Sequence, residues 1–258
     1  MTLAAPISAQ DFQKGLAAAE SGDYATALKE WKPLAVDGYS FAQHNIGVLY
    51  DQGWGVSQDY KEAAKWYTLA AKQGYAKAQY NLGNMYYDGQ GFPQDYKKAI
   101  TWYTLAAKQG HDSAQFNLGN TYYNGRGVPQ DYKEAVKWYT LAAVQGDEDA
   151  QYNLGVIYTD GQGVPQDYKE AVKWYTLAAE QGKASAQANL GYMYDKGKGV
   201  LADFVIAHMW YNIGAANGNE LGSENREIIA KQMTPEDISK AQALARVCMN
   251  SNYEKCGY

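Results

Sequence analysis

The sequence contains no run of 18 consecutive apolar residues, so nothing in it predicts a membrane-spanning helix. It also has no excess of basic residues, because 23 lysines and arginines stand against 28 aspartates and glutamates, for a net charge of −5. A nucleic-acid partner would favour a basic surface, so we expect none. No HExxH, GxSxG or SxxK motif occurs, and the three histidines lie in unrelated contexts. We therefore predict no metal, no cofactor and no catalytic residues; the protein is not expected to be an enzyme.

Cysteine is scarce, and both cysteines lie near the C-terminus. Seven residues separate Cys248 from Cys256, a loop that a disulfide can close in an oxidising compartment. Such a bridge would stabilise the tail by about 2–3 kcal/mol; the alternative is two unrelated thiols. Residues 1–7 predict a flexible N-terminus, which is either the remnant of a secretory signal peptide or an ordinary frayed start. Both features favour a periplasmic or secreted protein, with the cytoplasm as the alternative.

An internal repeat dominates what the sequence does contain. The stretch GVPQDYKEAVKWYTLAA at residues 127–143 recurs unchanged at residues 163–179, with looser copies at 91–107 and 55–71. Five tryptophans mark a period of 36 residues: Trp66, Trp102, Trp138, Trp174 and Trp210. Self-similarity at this period is typical of proteins built from stacked repeats.

The repeat predicts the organisation of the chain. A divergent helical hairpin at residues 8–38 precedes the repeats, and capping helices at residues 219–258 follow them. The five repeats between them are 39–74, 75–110, 111–146, 147–182 and 183–218. In each repeat a first helix, a glycine-rich turn and a second helix are expected. Local patterns place helices at Tyr24–Val36, at about 220–231 and from Pro235 to about Met249.

Two features recur within the repeats. An aspartate precedes each second helix, and we interpret it as a helix cap, because one carboxylate per repeat is too sparse for calcium. These are Asp59, Asp95, Asp131 and Asp167. A glycine in the middle of each first helix predicts close approach by the backbone of a neighbouring helix. These are Gly47, Gly83, Gly119, Gly155 and Gly191.

The pattern AxAQxNLGxxYxxGxGVPQDYxxAxxWYxxAAxQG resembles the Sel1-like repeat, a relative of the tetratricopeptide repeat. The resemblance covers about residues 39–218. It implies an all-α, right-handed superhelical solenoid of helix pairs with divergent terminal caps. It also implies an adaptor or scaffold role, since many members are exported bacterial interaction proteins. A cysteine-rich branch of the family is linked to penicillin binding and β-lactamase-like activity, but this chain lacks that branch's pair of cysteines per repeat.

The resemblance places the first helices on a concave groove, and positions that vary between copies mark candidate ligand contacts. They are His44, Val48 and Asp51; Tyr80, Asn84 and Tyr87; Phe116, Asn120 and Tyr123; Tyr152, Val156 and Thr159; and Ala188, Tyr192 and Asp195. Tyrosine and asparagine suit recognition of an extended peptide, although the aromatic residues would equally pad the surface between repeats. One position of the first helix is an asparagine in every repeat, and we call these residues the unvarying column. They are interpreted either as hydrogen-bonding the backbone of a ligand or as hydrogen-bonding between repeats. The column comprises Asn45, Asn81, Asn117, Asn153 and Asn189.

Three classes of function follow from the sequence. The first is a non-catalytic scaffold that binds a protein or peptide partner in the groove. The second is a binder or hydrolase of β-lactams or cell-wall peptides, which would require a cluster of Ser, Lys and Tyr. The third is a structural spacer. We expect a monomer, and end-to-end association stays open because repeats stack wherever a cap fails.

Overall fold

A computed structural model describes residues 9–256, and the side chains from residue 12 onward. Residues 1–7, predicted as a flexible N-terminus, and Ser8, the first residue of the predicted hairpin, lie outside that range. The chain forms two compact units, Met1–Pro129 and Gln130–Tyr258. Every helix or strand element in the described range is an α-helix. The first unit holds α1 Ala9–Glu20, α2 Tyr24–Val36, α3 Ser40–Gln52, α4 Tyr60–Lys72, α5 Ala76–Asp88, α6 Tyr96–Lys108 and α7 Asp112–Asn124. The second holds α8 Tyr132–Ala143, α9 Glu148–Asp160, α10 Tyr168–Glu180, α11 Ala184–Lys196, α12 Phe204–Ala216, α13 Glu220–Ala230 and α14 Pro235–Asn250.

Consecutive helices pack against each other in sequential pairs within each unit. None of the helices in residues 9–256 combines the length and apolar character that crossing a membrane requires. The predicted helix Tyr24–Val36 is confirmed and continues past Pro33. The two predicted C-terminal helices are also confirmed, as α13 and α14, and Thr234 caps the latter.

Aspartate caps begin the second helices, as predicted. Asp95 Oδ1 accepts a hydrogen bond from the backbone N–H of Lys98 at 3.0 Å, and this bond lowers the pKa of the Asp95 carboxyl. The same bond is made by Asp59, Asp131 and Asp167, and by Asp203 in the divergent fifth repeat. The cap satisfies backbone donors that the first helical turn leaves unpaired.

The mid-helix glycine faces a tyrosine ring in four of the first helices, so the predicted close approach is made mainly by a side chain; at Gly191 the Ala207 carbonyl oxygen also lies 3.1 Å from the Cβ position. A Cβ atom on Gly83 would lie 2.5 Å from Cδ1 of Tyr103, which projects from the second helix of the same repeat. Gly47 with Tyr67, Gly155 with Tyr175 and Gly191 with Tyr211 repeat the contact. These tyrosines are at most 2% exposed. The glycine therefore makes room for the ring that fills the core of the repeat.

The GxG turn docks onto the preceding repeat as well as connecting two helices. Gly91 has a φ of +71°, and a Cβ there would lie 2.4 Å from the carbonyl oxygen of Tyr60, the first residue of α4. The same relation joins Gly55 to Tyr24, Gly127 to Tyr96, Gly163 to Tyr132 and Gly199 to Tyr168. The second glycine is thus required for both its conformation and its contact.

A buried glutamine ties neighbouring helices together at the junctions between repeats. Gln79 Nε2 on α5 donates to the carbonyl oxygen of Ala71 on α4 at 3.1 Å. Its Oε1 accepts from Nε2 of Gln109, just beyond α6, at 2.7 Å. Gln43, Gln115, Gln151 and Gln187 each donate in the same way to the carbonyl eight residues earlier. These bonds satisfy groups that burial would otherwise leave unpaired.

The C-terminal helix covers one face of α12. Ile206, Met209 and Ile213 form that face and are at most 8% exposed; they share a cluster with Ala245 of α14. A disulfide joins the buried Cys248 to Cys256, and Asn217 Nδ2 donates to Tyr253 Oη at 2.8 Å. The tail is thus held against the last repeat.

Candidate functional site

The predicted ligand-contact residues lie on the first helices of both units. His44, Val48 and Asp51 lie on α3, Tyr80, Asn84 and Tyr87 on α5, and Phe116, Asn120 and Tyr123 on α7. In the second unit, Tyr152, Val156 and Thr159 lie on α9, and Ala188, Tyr192 and Asp195 on α11. Most are half-buried, but His44 and Ala188 are buried. Ligand contact by this set stays a prediction, and its members differ in how far they are accessible.

His44 is engaged within the protein. It is 8% exposed, and its Nδ1 lies 3.1 Å from Asn45 Oδ1, while its Nε2 lies 3.3 Å from Asn81 Nδ2. Burial lowers the pKa of His44 to about 4, so the ring is neutral at pH 7. The ring therefore contributes to the junction between the first two repeats.

A cavity of about 310 Å³ brings together three of the predicted residues in the first unit. Its lining consists of Asn84, Tyr87, Asp88, Tyr103, Asn117 and Asn120. Of these, Asn84, Tyr87 and Asn120 were candidate contacts, and Asn117 belongs to the unvarying column. Tyr103 and Asp88 were not predicted. The cavity lies where α5 and α7 each contribute an asparagine from the same position of the repeat.

The hydrogen bonds inside this cavity leave an amide donor and an amide acceptor open. Tyr103 Oη donates to Asn84 Oδ1 at 2.7 Å, and Asn117 Nδ2 approaches the same oxygen at 3.4 Å. No described residue pairs with Asn84 Nδ2 or with Asn117 Oδ1. One open N–H and one open carbonyl oxygen among the lining side chains match a peptide group, which offers one acceptor and one donor.

Charged groups lie at the rim of the cavity. The Asp88 carboxylate is exposed at the end of α5. Arg126 Nη1 donates to Tyr87 Oη, which raises the pKa of the guanidinium, and its Cζ lies 5.8 Å from the centre of the Tyr87 ring. Burial raises the pKa of the Tyr103 hydroxyl, so it stays protonated and donates. The site offers hydrogen bonds and aromatic area at neutral pH.

Two of the unvarying asparagines make the inter-repeat hydrogen bonds that one interpretation required. Asn81 on α5 contacts His44 on α3, and Asn117 on α7 contacts Asn84 on α5. Asn117 also lines the cavity. At Asn117 both interpretations, the inter-repeat hydrogen bond and the contact with a ligand, are compatible. Its Nδ2 approaches the adjacent repeat, and its Oδ1 is left open for a ligand.

Sequence reasoning missed Arg126, Asp88 and Tyr103. Arg126 stands between the two glycines of its turn, at a position held by Trp54, Gln90, Gln162 and Lys198 in the other copies. That variation was a readable signal, because a position free to vary within a fixed turn is not needed for the turn itself. Tyr103 gave no such signal, since it is invariant and its ring fills the core.

Comparison with known proteins adds the family. A model described as Sel1 repeat matches residues 40–75, 76–111, 112–147, 148–183 and 184–219. The chain is similar to a Sel1 repeat protein from Oxalobacter formigenes, with 35% identity and a TM-score of 0.81, over 91% of this chain and 98% of that one. It is also similar to c5321, a protective antigen of uropathogenic Escherichia coli with an SLR fold, at 27% identity and a TM-score of 0.47, over 95% and 69% of the chains. Immunity protein Pa5087 from Pseudomonas aeruginosa matches at 20% identity and a TM-score of 0.47, over 84% and 86%.

No curated protein matches the chain in sequence. The matches with TM-scores below 0.5 add nothing to the assignment, which rests on the five repeats and the Oxalobacter structure. The predicted all-α fold of sequential helix pairs and the predicted family are both confirmed. The chain belongs to the Sel1 repeat family.

Proposed function

We propose that the protein is a non-catalytic scaffold that binds an extended segment of a protein or peptide on the first helices of its first unit. The observation that carries the proposal is the cavity of about 310 Å³ with an unpaired amide donor on Asn84 and an unpaired amide acceptor on Asn117. A peptide group satisfies both at once. The surrounding tyrosines add aromatic area that loses little side-chain entropy on binding.

Preorganisation is the mechanism of binding. Asn84 is held by Tyr103 and Asn117, and Tyr87 is held by Arg126, before any ligand arrives. The cost of ordering these side chains is therefore met during folding, which favours affinity from a small contact area.

The hydrolase alternative finds no support in this cavity. That chemistry requires Ser, Lys and Tyr side chains in one cluster, and the lining supplies tyrosines without a serine or a lysine. We propose the periplasm or the exterior of a bacterial cell as the location. The Cys248–Cys256 disulfide supports an oxidising compartment.

The test uses residues borrowed from the fourth repeat. In that repeat Val156 and Thr159 occupy the positions of Asn84 and Tyr87, and Thr159 Oγ1 lies 3.3 Å from Tyr175 Oη. The double variant Asn84→Val/Tyr87→Thr therefore removes the open amide while supplying a partner for the Tyr103 hydroxyl. Circular dichroism is expected to show an unchanged fold.

A random-peptide display library is selected on the wild type, and enriched peptides are measured by calorimetry on both proteins. We expect about tenfold weaker binding to the variant, which corresponds to about 1.4 kcal/mol, the loss of one or two net hydrogen bonds. Equal affinity for both proteins would move the binding face elsewhere. A wild type that enriches no peptide at all would refute the proposal.

A further inference from the structure

The N-terminal hairpin reproduces the core geometry of a repeat, although its sequence diverges. A Cβ on Gly15 would lie 2.3 Å from the indole of Trp31, as one on Gly83 would meet the ring of Tyr103. Counting from these glycines, Leu16 corresponds to Asn84 and Glu20 to Asp88. The hairpin and the first repeat therefore have the backbone arrangement that forms the amide-lined cavity two junctions further along the first unit.

A second cavity, of about 250 Å³, lies at that equivalent place. Leu16, Glu20, Tyr24, Trp31, Val48 and Trp54 are among its lining residues. Leu16 and Val48 replace the amides of Asn84 and Asn120, so the walls are mostly apolar and aromatic, and Asn45 is the one amide that remains among the described lining residues. The same fold thus provides two pockets of different chemistry in one unit.

Glu20 places a negative charge at the mouth of this apolar cavity. It is the last residue of α1, where the helix dipole already presents its negative end, so a carboxylate there is unfavourable for the helix. It has no hydrogen bond or ion pair with any other described residue. In the first repeat the same position holds the neutral Gln52. The fold does not require the charge, and nothing in the described residues neutralises it.

Aromatic rings occupy the place where other repeats bring a cation. Arg126 and Lys198 precede the second glycine of their turns, and Lys198 Nζ lies 5.0 Å from the centre of the Tyr168 ring. In the first repeat that position is Trp54, whose ring stacks on Tyr24 with centroids 5.1 Å apart. Trp54 is 44% exposed. The N-terminal hairpin and the first repeat together thus supply aromatic faces and a carboxylate without the cation.

We propose that this second cavity binds a lysine or arginine side chain, which, given the proposed function, belongs to the same peptide that the amide-lined cavity holds. The methylene stem packs against Leu16, Val48 and Trp31, as long basic side chains do on apolar surfaces. The charged end pairs with the Glu20 carboxylate and lies against the face of Trp54. A ligand that fills both pockets gains from linking two weak contacts.

The experiment follows the indole N–H signals of the protein labelled with ¹⁵N-tryptophan, and the Trp54 signal is assigned by its loss in Trp54→Gln. The probes are the Nα-acetyl N-methylamides of lysine, norleucine and glutamate. We expect the lysine probe to shift the Trp54 signal at concentrations about fivefold lower than norleucine, its uncharged counterpart, as a difference of about 1 kcal/mol gives. The glutamate probe should produce no shift.

The matched control is Glu20→Gln, which installs the residue that the first repeat carries at this position. It should reduce the affinity for the lysine probe to that for norleucine and leave norleucine unchanged. Equal binding of lysine and norleucine to the wild type, or no shift with any probe, would overturn the proposal. The Asn84→Val/Tyr87→Thr chain must respond to lysine like the wild type, because a loss there would assign the probe to the other cavity. Failure of the peptide selection beside an intact lysine response would refute the proposed function alone.

Discussion

Replacing Gly91 by alanine should destabilise the protein far more than the same change at Gly74. Both glycines have a positive φ, of +71° and +89°, so alanine is strained at either position. A Cβ at Gly74 would meet no atom within 4 Å, whereas one at Gly91 would lie 2.4 Å from the Tyr60 carbonyl oxygen. The pair therefore separates the cost of the backbone conformation from the cost of the contact between repeats.

The left-handed conformation costs an alanine about 1–2 kcal/mol, offset by about 0.4–1 kcal/mol from the reduced freedom of the unfolded chain. We expect Gly74→Ala to lower the free energy of unfolding by about 1 kcal/mol. At Gly91 the backbone of α4 must also move, and overpacking of this kind costs about 1–3 kcal/mol. Gly91→Ala should therefore lower the free energy of unfolding by about 2–4 kcal/mol.

Urea denaturation followed by circular dichroism measures both variants, and an unchanged slope with denaturant is needed to read the midpoints as stability. The second unit offers an independent copy of the comparison. Gly163→Ala places a Cβ 2.5 Å from Tyr132 Cβ, whereas Gly146→Ala meets nothing within 4 Å. If the two members of each pair are equally destabilised, the GxG turn needs glycine for its conformation alone and the docking argument is refuted.

Three further outcomes are expected. Gly83→Ala should destabilise by about 1–3 kcal/mol in thermal melts despite its better helix propensity, because its Cβ meets the Tyr103 ring; a stabilised variant would contradict this packing. Burial lowers the pKa of His44 to about 4. The unfolded chain therefore binds a proton at His44 near pH 6.5, whereas the folded chain binds it only near pH 4, so the free energy of unfolding falls as the pH drops from 6.5 towards 4. Between pH 7.5 and pH 4.5 the wild type should lose about 2.5 kcal/mol more than His44→Phe, and parallel pH profiles would refute this. Cys248→Ser should lower the free energy of unfolding by about 2.5 kcal/mol, because the disulfide no longer constrains the loop. The comparison is made with the oxidised wild type, and the difference between the two proteins should vanish when the wild type is reduced.

Local signals made part of the fold predictable. Helix α2 begins and ends at the predicted residues, and the aspartate caps act as predicted, because caps and hydrophobic spacing operate within a few residues. The packing partners of these helices could not be predicted, because they depend on which face of one helix contacts which face of the next. The glycine of each first helix signals a close contact, but only the packing identifies the partner as a tyrosine ring.

The packing of the C-terminal helix against the fifth repeat could have been predicted from the sequence. Three positions that hold Glu170, Lys173 and Leu177 in the fourth repeat hold Ile206, Met209 and Ile213 in the fifth. Two charged residues thus give way to apolar ones beside a position that is apolar in both repeats, and an apolar stripe of this kind indicates that something covers that face. The structure supplies α14 as the cover.

The candidate contacts stay a prediction, and the structure shows that they differ in how accessible they are. The aromatic position that includes His44 and Ala188 is buried at those two residues, whereas the open polar groups lie at Asn84 and Asn117. The sequence spacing of an aromatic residue on a first helix does not show whether its side chain is accessible to a ligand. Its accessibility depends on the residue at the equivalent position of the adjacent repeat.

The internal copies separate what the fold requires from what it tolerates. The helix pairs share one backbone arrangement. A position that is invariant across them, such as the Gln79 position, is therefore needed for the packing between repeats, and a position that varies is not. The last turns of the first helices hold Glu20, Gln52, Asp88 and Asn124 at one equivalent place in the first unit, and Asp160 and Lys196 lie there in the second. Carboxylates, neutral amides and a lysine thus occur at the same position, so the junction accepts each of them. Within the first unit, Glu20 lines the cavity of about 250 Å³ and Asp88 lines the cavity of about 310 Å³. Since packing does not demand the charge, and Glu20 and Asp88 each lie at a helix end that disfavours a carboxylate, we expect these two side chains to serve the ligands proposed for the two cavities.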